Sequence, residues 1–445
     1  MSIVYSSLNH ALRVPLAAEI HSRPFLKLAA PEAISHLAVY RHSEAGPSNA
    51  NALYQHEILA ALCLHFGVAA PAAGASYFYH DFGRFRLKWE CHTEFATYTF
   101  AEPLDEVLPV TEAFGRTPLE HLPQQWLLSL EGQLMVAAHV ILERGDGSLE
   151  GPHRAFEGTM LVGGSVMQGA QLWTDFAIQS DGFSRFVIRD VGMRAQQAGR
   201  LVQRVLEIET YRMMALLGLP SAQRAAVELN DIELELASLA NAMVATDAAP
   251  AGDRERDPDG GGSEQALLDQ ITRLAARLEK LSLENNYRFS ASRAYFRLVN
   301  ARIEELREVR IEGVPTVEEF MDRRLAPAMS TCDAMAARQD ALGRRIANTN
   351  DLLRTRVGIV QEMQNRQILQ SMNSRALQAL RLQQAVEGLS VAAISYYVIG
   401  LVSYTGKAAK VLGIAVNPEI LTGALVPVVA AAVWLSLRQM HKKLH

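Results

Sequence analysis

The chain has 445 residues, of which 49% are hydrophobic and 20% are charged, so it can hold two or three domains that each bury a core. The net charge of -5, and the lack of dense Lys/Arg patches interleaved with aromatic residues, argue against a nucleic-acid partner. Cys63, Cys91 and Cys332 lie far apart without CxxC spacing. This pattern argues against a disulfide framework or a cysteine zinc site and indicates a reducing compartment.

The N-terminal segment carries no export signal. Residues 1–25 contain Arg13, Glu19, His21 and Arg23 and lack the run of apolar residues that a signal peptide needs. We therefore expect the large N-terminal part of the protein to be cytosolic.

The region 1–190 mixes strand and helix patterns. Residues 35–42 alternate apolar and polar side chains as a strand does, whereas residues 51–66 have apolar residues at helical spacing. Residues 76–100 are rich in aromatic and β-branched residues and are broken at residues 81–83, which predicts a hairpin followed by another strand. Four more strands are predicted, at residues 134–142, 158–164, 170–179 and 183–189. A sheet covered by a few helices is the expected core.

The middle of the chain reads as helical. Helices are predicted over residues 193–217, with a stop at Gly218 and Pro220, and over residues 221–244. Residues 246–263 combine Pro, Gly and mixed charge without bulky apolar residues, which predicts a flexible linker.

Two antiparallel stalk helices are expected next. The first follows from a short coiled-coil seam, and the second resumes after a break at residues 313–315 and continues toward the C-terminus. The seam residues are Leu267, Ile271, Leu274, Leu278 and Leu281 in the first helix, and Leu342, Ile346, Leu353, Val360 and Met363 in the second.

The C-terminal region contains two uncharged apolar stretches, residues 388–406 and 420–437, separated by a short loop. Each fits the roughly 17 to 25 helical residues that a bilayer core requires, so the sequence predicts a transmembrane hairpin. Basic residues before the first stretch and after the second favour both termini in the cytoplasm, although Lys407 and Lys410 in the loop weaken this bias. The expected location is the inner (cytoplasmic) membrane.

Several segments resemble a family of bacterial membrane-anchored proteins of unknown function. The matching stretches are EIHSRPF (residues 19–25), KWECHTEFATY (88–98), TDF (174–176), GRLVQRVLEIETYRMMALLGLP (199–220) and QQAVEGLSVAAISYYVIGLVSY (383–404). The resemblance covers nearly the whole chain. It implies the architecture of a membrane-anchored protein and no particular activity.

The architecture also resembles, more weakly, the CorA-type divalent-cation channels, in which a cytosolic α/β domain and long stalk helices precede a two-helix hairpin. The Gly-Met-Asn signature expected after the first span is absent, and residues 404–407 read YTGK instead. Magnesium selectivity therefore does not carry over.

Residues of the first span allow two interpretations. Ser390, Tyr397 and Tyr404 are seven apart and share a helical face, so in a ring of subunits they could line a pore with Glu387 at its cytoplasmic mouth. Alternatively, small and hydroxyl residues only pack the two spans together, which is the interpretation we favour.

The soluble region contains a candidate polar cluster made of His21, Arg23, Glu90, His92 and Glu94. If residues 88–98 form one strand, Glu90, His92 and Glu94 share a face, a spacing that could serve a metal or an anion. The favoured alternative is a structural network in which Arg23 pairs with a carboxylate such as Glu94. No catalytic set is recognised, and no cofactor is expected.

The sequence thus predicts an α+β protein with a mixed α/β sheet domain (1–190), a helical segment (191–245), a linker (246–263), a helical coiled-coil stalk (264–385), a transmembrane hairpin (386–437) and a basic tail (438–445). The expected function is that of a membrane-anchored, homo-oligomeric interaction or regulatory protein whose protein partner is unknown. A CorA-like oligomeric channel or transporter is the alternative.

Overall fold

The computed structural model describes residues 8–14, 16–17, 24–40, 48–104, 109–145, 152–158, 160–194, 196–248, 260–411 and 418–444. The chain divides into two compact units. The first comprises Met1–Val244 and Ile271–Ala347, and the second comprises Ala245–Gln270 and Asn348–His445.

A single mixed sheet forms the centre of the first unit. Its strands, over the described residues, are β1 (Glu32–Tyr40), β2 (Tyr77–Asp81), β3 (Arg86–Cys91), β4 (Phe95–Pro103), β5 (Leu134–Arg144), β6 (Val162–Val166), β7 (Ala170–Ile178), β8 (Ser184–Asp190) and β9 (Val309–Arg310). They are ordered β2-β3-β4-β1-β5-β8-β7-β6-β9. Neighbours pair antiparallel except β5 and β8, which run parallel and join the two halves of the sheet.

The strand pattern read from the sequence is confirmed in its main lines. The hairpin at residues 81–83 is β2–β3, and β4 is the strand that follows it. The strand predicted at residues 158–164 begins later, at Val162, because Gly158 belongs to a turn in which its N–H donates to Asp175 Oδ2.

One face of the sheet carries the aromatic core. Helix α1 (Ser48–His65) packs Leu59 and Leu62 against the buried rings of Trp89 and Tyr98, which project from β3 and β4. Two short helices, α2 (Val110–Ala113) and α3 (Gln124–Leu128), and 3₁₀ turns at Pro118–His121 and Pro152–Ala155 complete this side. Trp126 of α3 also donates its indole N–H to Ile58 O at 2.9 Å.

The opposite face is covered by helix α4 (Gln197–Leu216) and is partly polar. Its stripe of Leu201, Val205 and Ile208 is buried, as the helical spacing predicts. Beside this stripe, Ser184 of β8 donates to Glu209 of α4 at 3.2 Å. The helix ends at Leu216, and the next begins at once, because Pro needs no backbone N–H partner in the first turn of a helix.

Parts of three long helices complete the first unit. The helices are α5 (Gly218–Ala248), α6 (Gly260–Leu306) and α7 (Val317–Val411), and the first unit includes α5 up to Val244, α6 from Ile271 and α7 up to Ala347. The antiparallel arrangement of α6 and α7 follows from the Arg293–Asp333 ion pair and from Gly343, which lies against Leu278. Helix α5 also packs here, which the sequence did not predict, and its carboxylates bind Arg277 of α6. The stalk-like helices of this unit thus form a three-helix packing rather than a pair.

The predicted break at residues 313–315 is confirmed, whereas both ends of the predicted linker are helical. Between α6 and α7 the chain makes β9 and a turn, as predicted at residues 313–315. The edges of the predicted linker are helical, since α5 continues to Ala248 and α6 begins at Gly260. Residues 249–259 lie outside the described residues.

The second unit contains the C-terminal part of α7 and helix α8 (Pro418–Leu444). Among the described residues, one helix is long and apolar enough to cross a membrane. This helix is α7, whose most apolar 18-residue segment has a mean hydropathy of 1.7, with 6% of the segment buried. The apolar part of α8, Thr422–Ser436, is shorter. Length and composition alone give weak evidence for membrane association, and the second span remains a prediction.

Candidate functional site

A cavity of about 230 Å³ lies between α4 and the sheet strands β1, β3 and β4. The chain segment before β1 closes one side with Leu26 and Leu28, and Arg302 reaches the cavity from α6. All of these residues belong to the first unit. The cavity is the candidate site because buried polar and charged side chains converge on it beside apolar ones.

The strand register sets the floor of the cavity. His36, Thr99 and Lys88 stand opposite one another on β1, β4 and β3, since His36 pairs with Thr99 and Thr99 pairs with Lys88. Alternate residues of a strand share a face, which also places Glu90 and Thr97 in the cavity wall. The other face of the same strands carries the aromatic core.

His36 is held in place by two hydroxyl groups. Its Nδ1 lies 2.9 Å from Thr99 Oγ1, and its Nε2 lies 3.1 Å from Thr210 Oγ1 on α4. Burial lowers the pKa of His36 to about 3, and the nearby cationic side chain of Lys88 and the ring of His92 act in the same direction. The imidazole is therefore neutral at physiological pH and links the sheet to α4.

A chain of charged and amide groups runs from the floor to α6. The buried Lys88 ammonium lies 3.0 Å from Glu90 Oε2 and 3.2 Å from Gln203 Oε1. Gln203 donates to Glu207 Oε1 at 2.7 Å, and the other oxygen of Glu207 accepts from Arg302 Nε. Each carboxylate in the wall is therefore matched by one cation.

Gly199, in the first turn of α4, lets the helix approach the segment that closes the cavity. A Cβ at this position would lie 1.8 Å from the carbonyl oxygen of Leu26, a distance that no side chain tolerates. Glycine is required here by close backbone approach.

Three members of the predicted polar cluster, Glu90, His92 and Glu94, fall within the described residues. Glu90 and His92 line the cavity, whereas His21 and Arg23 lie outside the described residues. The strand predicted over residues 88–98 is interrupted, because β3 ends at Cys91 and a turn precedes Phe95. Glu94 lies in this turn and does not line the cavity.

Glu94 instead joins the sheet to α6. Its two oxygens accept hydrogen bonds from Arg288 Nη2 and, at 2.9 Å, from the Tyr295 hydroxyl. The Glu94 and Arg288 side chains are 9% and 12% exposed, respectively. Burial raises the pKa of Tyr295, and the Glu94 carboxylate raises it further. Arg23, the expected partner, lies outside the described residues, and Glu94 has a buried arginine partner in Arg288.

The candidate pore-lining residues Glu387, Ser390, Tyr397 and Tyr404 all lie on α7. Ser390 donates to Val386 O of its own helix at 2.9 Å, and Gln383 Nε2 lies 3.4 Å from Glu387 Oε1. The Tyr397 and Tyr404 side chains are exposed. These contacts within α7 do not test pore lining, which stays a prediction.

Sequence reasoning missed most of the cavity. Its polar residues outside the predicted cluster are His36, Lys88, Thr97, Thr99, Gln203, Glu207, Thr210, Tyr211 and Arg302. One signal was present: Lys88 and Thr99 are polar positions within strands, and the neighbours of each are apolar on both sides. Glu207 pairs with Arg302 on α6, a partner that helical spacing within α4 does not predict.

The arrangement is suited to binding. Its charged groups form ion pairs with one another, and both ring nitrogens of His36 are hydrogen-bonded to threonine hydroxyls. Within the described ranges, no group of three or more His, Cys, Asp or Glu side chains is placed to hold a metal ion.

A family model matches residues 8–444, which is almost the whole chain. The chain belongs to the DUF3422 family. This family is described as a protein of unknown function. No curated protein and no solved structure matches the chain significantly. Membership in DUF3422 therefore confirms the expected uncharacterised family and assigns no activity to the chain.

One of the motifs quoted from the sequence has a structural explanation. In TDF, Phe176 has a φ of 53° in the left-handed region. The turn is fixed by Asp175, whose carboxylate accepts from Ala177 N at 3.0 Å and from Gln179 Nε2. The Phe176 ring stacks on Phe320 of α7 at 4.8 Å between centroids. This motif therefore fastens the sheet to a helix.

Proposed function

We propose that this chain is a membrane-anchored regulatory protein of the cytoplasmic membrane, whose cytosolic sheet domain acts through binding and which assembles with further copies of itself. The observation that carries the proposal is the exposed surface of α7 immediately before the candidate span. An enzymatic role is not proposed, because the charged groups of the cavity are engaged with one another.

Every side chain of residues 361–386 is exposed. This part of α7 extends over about 39 Å. Helical segments of this kind gain most of their stability from packing of an apolar face against a partner. An exposed length of this kind favours a partner other than the described residues of the same chain.

The segment carries such a face, which we call the α7 stripe. Its large apolar side chains are between 52% and 68% exposed: Ile368, Leu369, Met372, Leu380, Leu382 and Val386. At 100° per residue they fall on one side of the helix together with Ala376 and Ala379. Arg366, Gln370 and Arg381 lie on the opposite side, together with the exposed Met363 and Leu377, and Arg375 lies within the stripe, between Leu382 and Ile368.

A second copy of this chain is the occupant we propose for the stripe. The stripe and the candidate span belong to one continuous helix. Copies anchored in the same bilayer therefore present identical stripes at the same height and in the same direction, and two or more stripes can pair in parallel without any other partner.

This proposal predicts a specific effect of charge on the stripe. Met372→Arg should reduce the mass of the detergent-solubilised protein from a multiple of 49.0 kDa toward the monomer, because it places a charge in the apolar contact. The measurement is light scattering coupled to size-exclusion chromatography. Gln370→Arg, on the opposite side, is the matched control and should keep the wild-type mass. A monomeric wild-type protein contradicts the proposal.

Topology supplies a second prediction. If both apolar stretches span the membrane, a reporter after His445 should be cytoplasmic and one inserted near Ala409 should be external, as the flanking basic residues favour. The apolar part of α8 is short for a span, so the alternative is a single crossing. Paired fluorescent and phosphatase fusions distinguish them. A cytoplasmic Ala409 reporter contradicts the proposed topology.

The CorA-like channel remains the second candidate, supported by the exposed Tyr397 and Tyr404 on one face of the candidate span. Channel and anchor place different demands on the hairpin. Replacing it with an unrelated two-span anchor leaves a regulatory function intact and abolishes ion flux into proteoliposomes. A monomer excludes the channel, because two spans do not enclose a pore.

A further inference from the structure

We propose that the cavity between α4 and the sheet binds a small zwitterion, a molecule of amino-acid size with one carboxylate, one ammonium group and an apolar frame. The cavity lies within the first unit, and its role does not depend on how the chain crosses or assembles in the membrane. The size of the cavity, its apolar wall and its balance of charge all favour a ligand of this class.

Size limits the ligand first. The cavity has a volume of about 230 Å³. An apolar cavity of about 150 Å³ already holds benzene. The space therefore suits a molecule of about eight to twelve non-hydrogen atoms.

The wall has an apolar side and a charged side. Leu26, Leu28, Phe95, Val202 and Leu206 supply the apolar side. Ligand pockets combine such surfaces with a few polar groups that fix orientation. A ligand with an aliphatic or aromatic frame and polar ends therefore fits better than a simple ion.

Charge balance decides the class of ligand. The lining carries two cations, Lys88 and Arg302, and two carboxylates, Glu90 and Glu207. A ligand with a single charge would bring an uncompensated charge into a largely buried site, which is costly. A zwitterion adds both signs at once and keeps the site neutral.

The donors and acceptors offer a place for each end. The Lys88 ammonium has three N–H donors, and the described residues provide two close acceptors, Glu90 and Gln203. Arg302 uses Nε for Glu207 and Nη1 for Glu305, and the described structure gives Nη2 no hydrogen-bond partner. A ligand carboxylate can accept from Lys88 or Arg302, while its ammonium group donates to Glu90.

The test compares leucine with its two singly charged relatives. The full chain in detergent is heated with millimolar proteinogenic L-amino acids, and in parallel with 3-methylbutylamine and 4-methylpentanoate, which lack the carboxylate and the ammonium group of leucine, respectively. Tryptophan fluorescence reports unfolding, since Trp89, Trp126 and Trp173 are buried in the first unit. At least one amino acid should raise the melting temperature by about 2–4 °C or more.

Variants locate the effect. Glu90→Gln, which keeps the shape of the side chain, and Arg302→Gln, which removes the guanidinium, should each weaken binding of the responding amino acid by about tenfold or more in titration calorimetry. Arg293→Gln removes a comparable arginine of α6 that pairs with Asp333 at the surface, and it should bind as the wild type does.

Three results overturn the proposal. In the first, no amino acid shifts the melting temperature and none gives a heat of binding. In the second, the matching amine or acid binds as tightly as the amino acid. In the third, binding persists unchanged in both cavity variants, which places it elsewhere on the protein.

Discussion

Acidification from pH 7 to pH 5 should lower the free energy of unfolding by roughly 2 kcal/mol through His36 alone. Its folded pKa is lowered to about 3 by burial, with Lys88 and His92 contributing, whereas the unfolded side chain has an ordinary value of 6.5. Between these two values the unfolded chain binds a proton that the folded chain does not. The stabilisation is therefore fully present above pH 6.5 and is lost progressively as the pH falls toward 3.

The groups around His36 do not offset the free-energy cost of protonating it in the folded protein. The groups that face it are Lys88 on β3, Thr99 on β4, Thr210 on α4 and the ring of His92, and none is an acid that would stabilise an imidazolium. The second buried imidazole, His139, acts in the same direction, since burial lowers its pKa to about 4.

Two variants distinguish the effect of protonating His36 on stability from the effect of losing one of its hydrogen bonds. His36→Gln removes the titrating group, so the difference in stability between pH 7 and pH 5 should shrink by roughly 2 kcal/mol relative to the wild type. Thr99→Val removes a hydrogen-bond partner and should lower stability at both pH values while the difference persists. Urea unfolding of the full chain in detergent, followed by tryptophan fluorescence, gives both numbers. An unchanged difference in His36→Gln contradicts the assignment.

The strands of the sheet could be predicted because residue types alternate along each strand according to the face on which they lie. In β4, Tyr98 and Phe100 point into the aromatic core, while Thr97 and Thr99 point into the cavity. That alternation is a local property of the sequence. The order of the strands is not local, and the parallel pairing of β5 with β8 has no signature in either strand.

The candidate site was largely beyond sequence reasoning, since its contacts join residues far apart in the chain. Glu207 meets Arg302 across 95 positions, and Glu94 meets Arg288 across 194. Helical spacing predicts only partners on the same helix, as for Glu209 with Arg212. The expected pairing of Glu94 rested on a continuous strand, and the turn before Phe95 redirects its side chain toward α6.

Removal of the Glu94 carboxylate should cost the protein about 3–5 kcal/mol of unfolding free energy. Glu94→Ala leaves the guanidinium of Arg288, which is only 12% exposed, without its anion, and it removes the acceptor of the Tyr295 hydroxyl. The pair links the β3–β4 turn to α6, so the loss should weaken docking of the helix on the sheet. Urea unfolding of the full chain in detergent measures the cost.

The double variant Glu94→Ala/Arg288→Met separates a stranded charge from a lost contact. If the cost comes from burying an unpaired guanidinium, replacing Arg288 as well should recover much of it, because no charge then remains in the site. A surface pair between α6 and α7 provides the scale: Arg293 and Asp333 are about half exposed, and Asp333→Ala should change stability by about 1 kcal/mol at most. A Glu94→Ala protein as stable as Asp333→Ala would show that α6 is held on the sheet by its apolar contacts and by the Glu207–Arg302 pair instead.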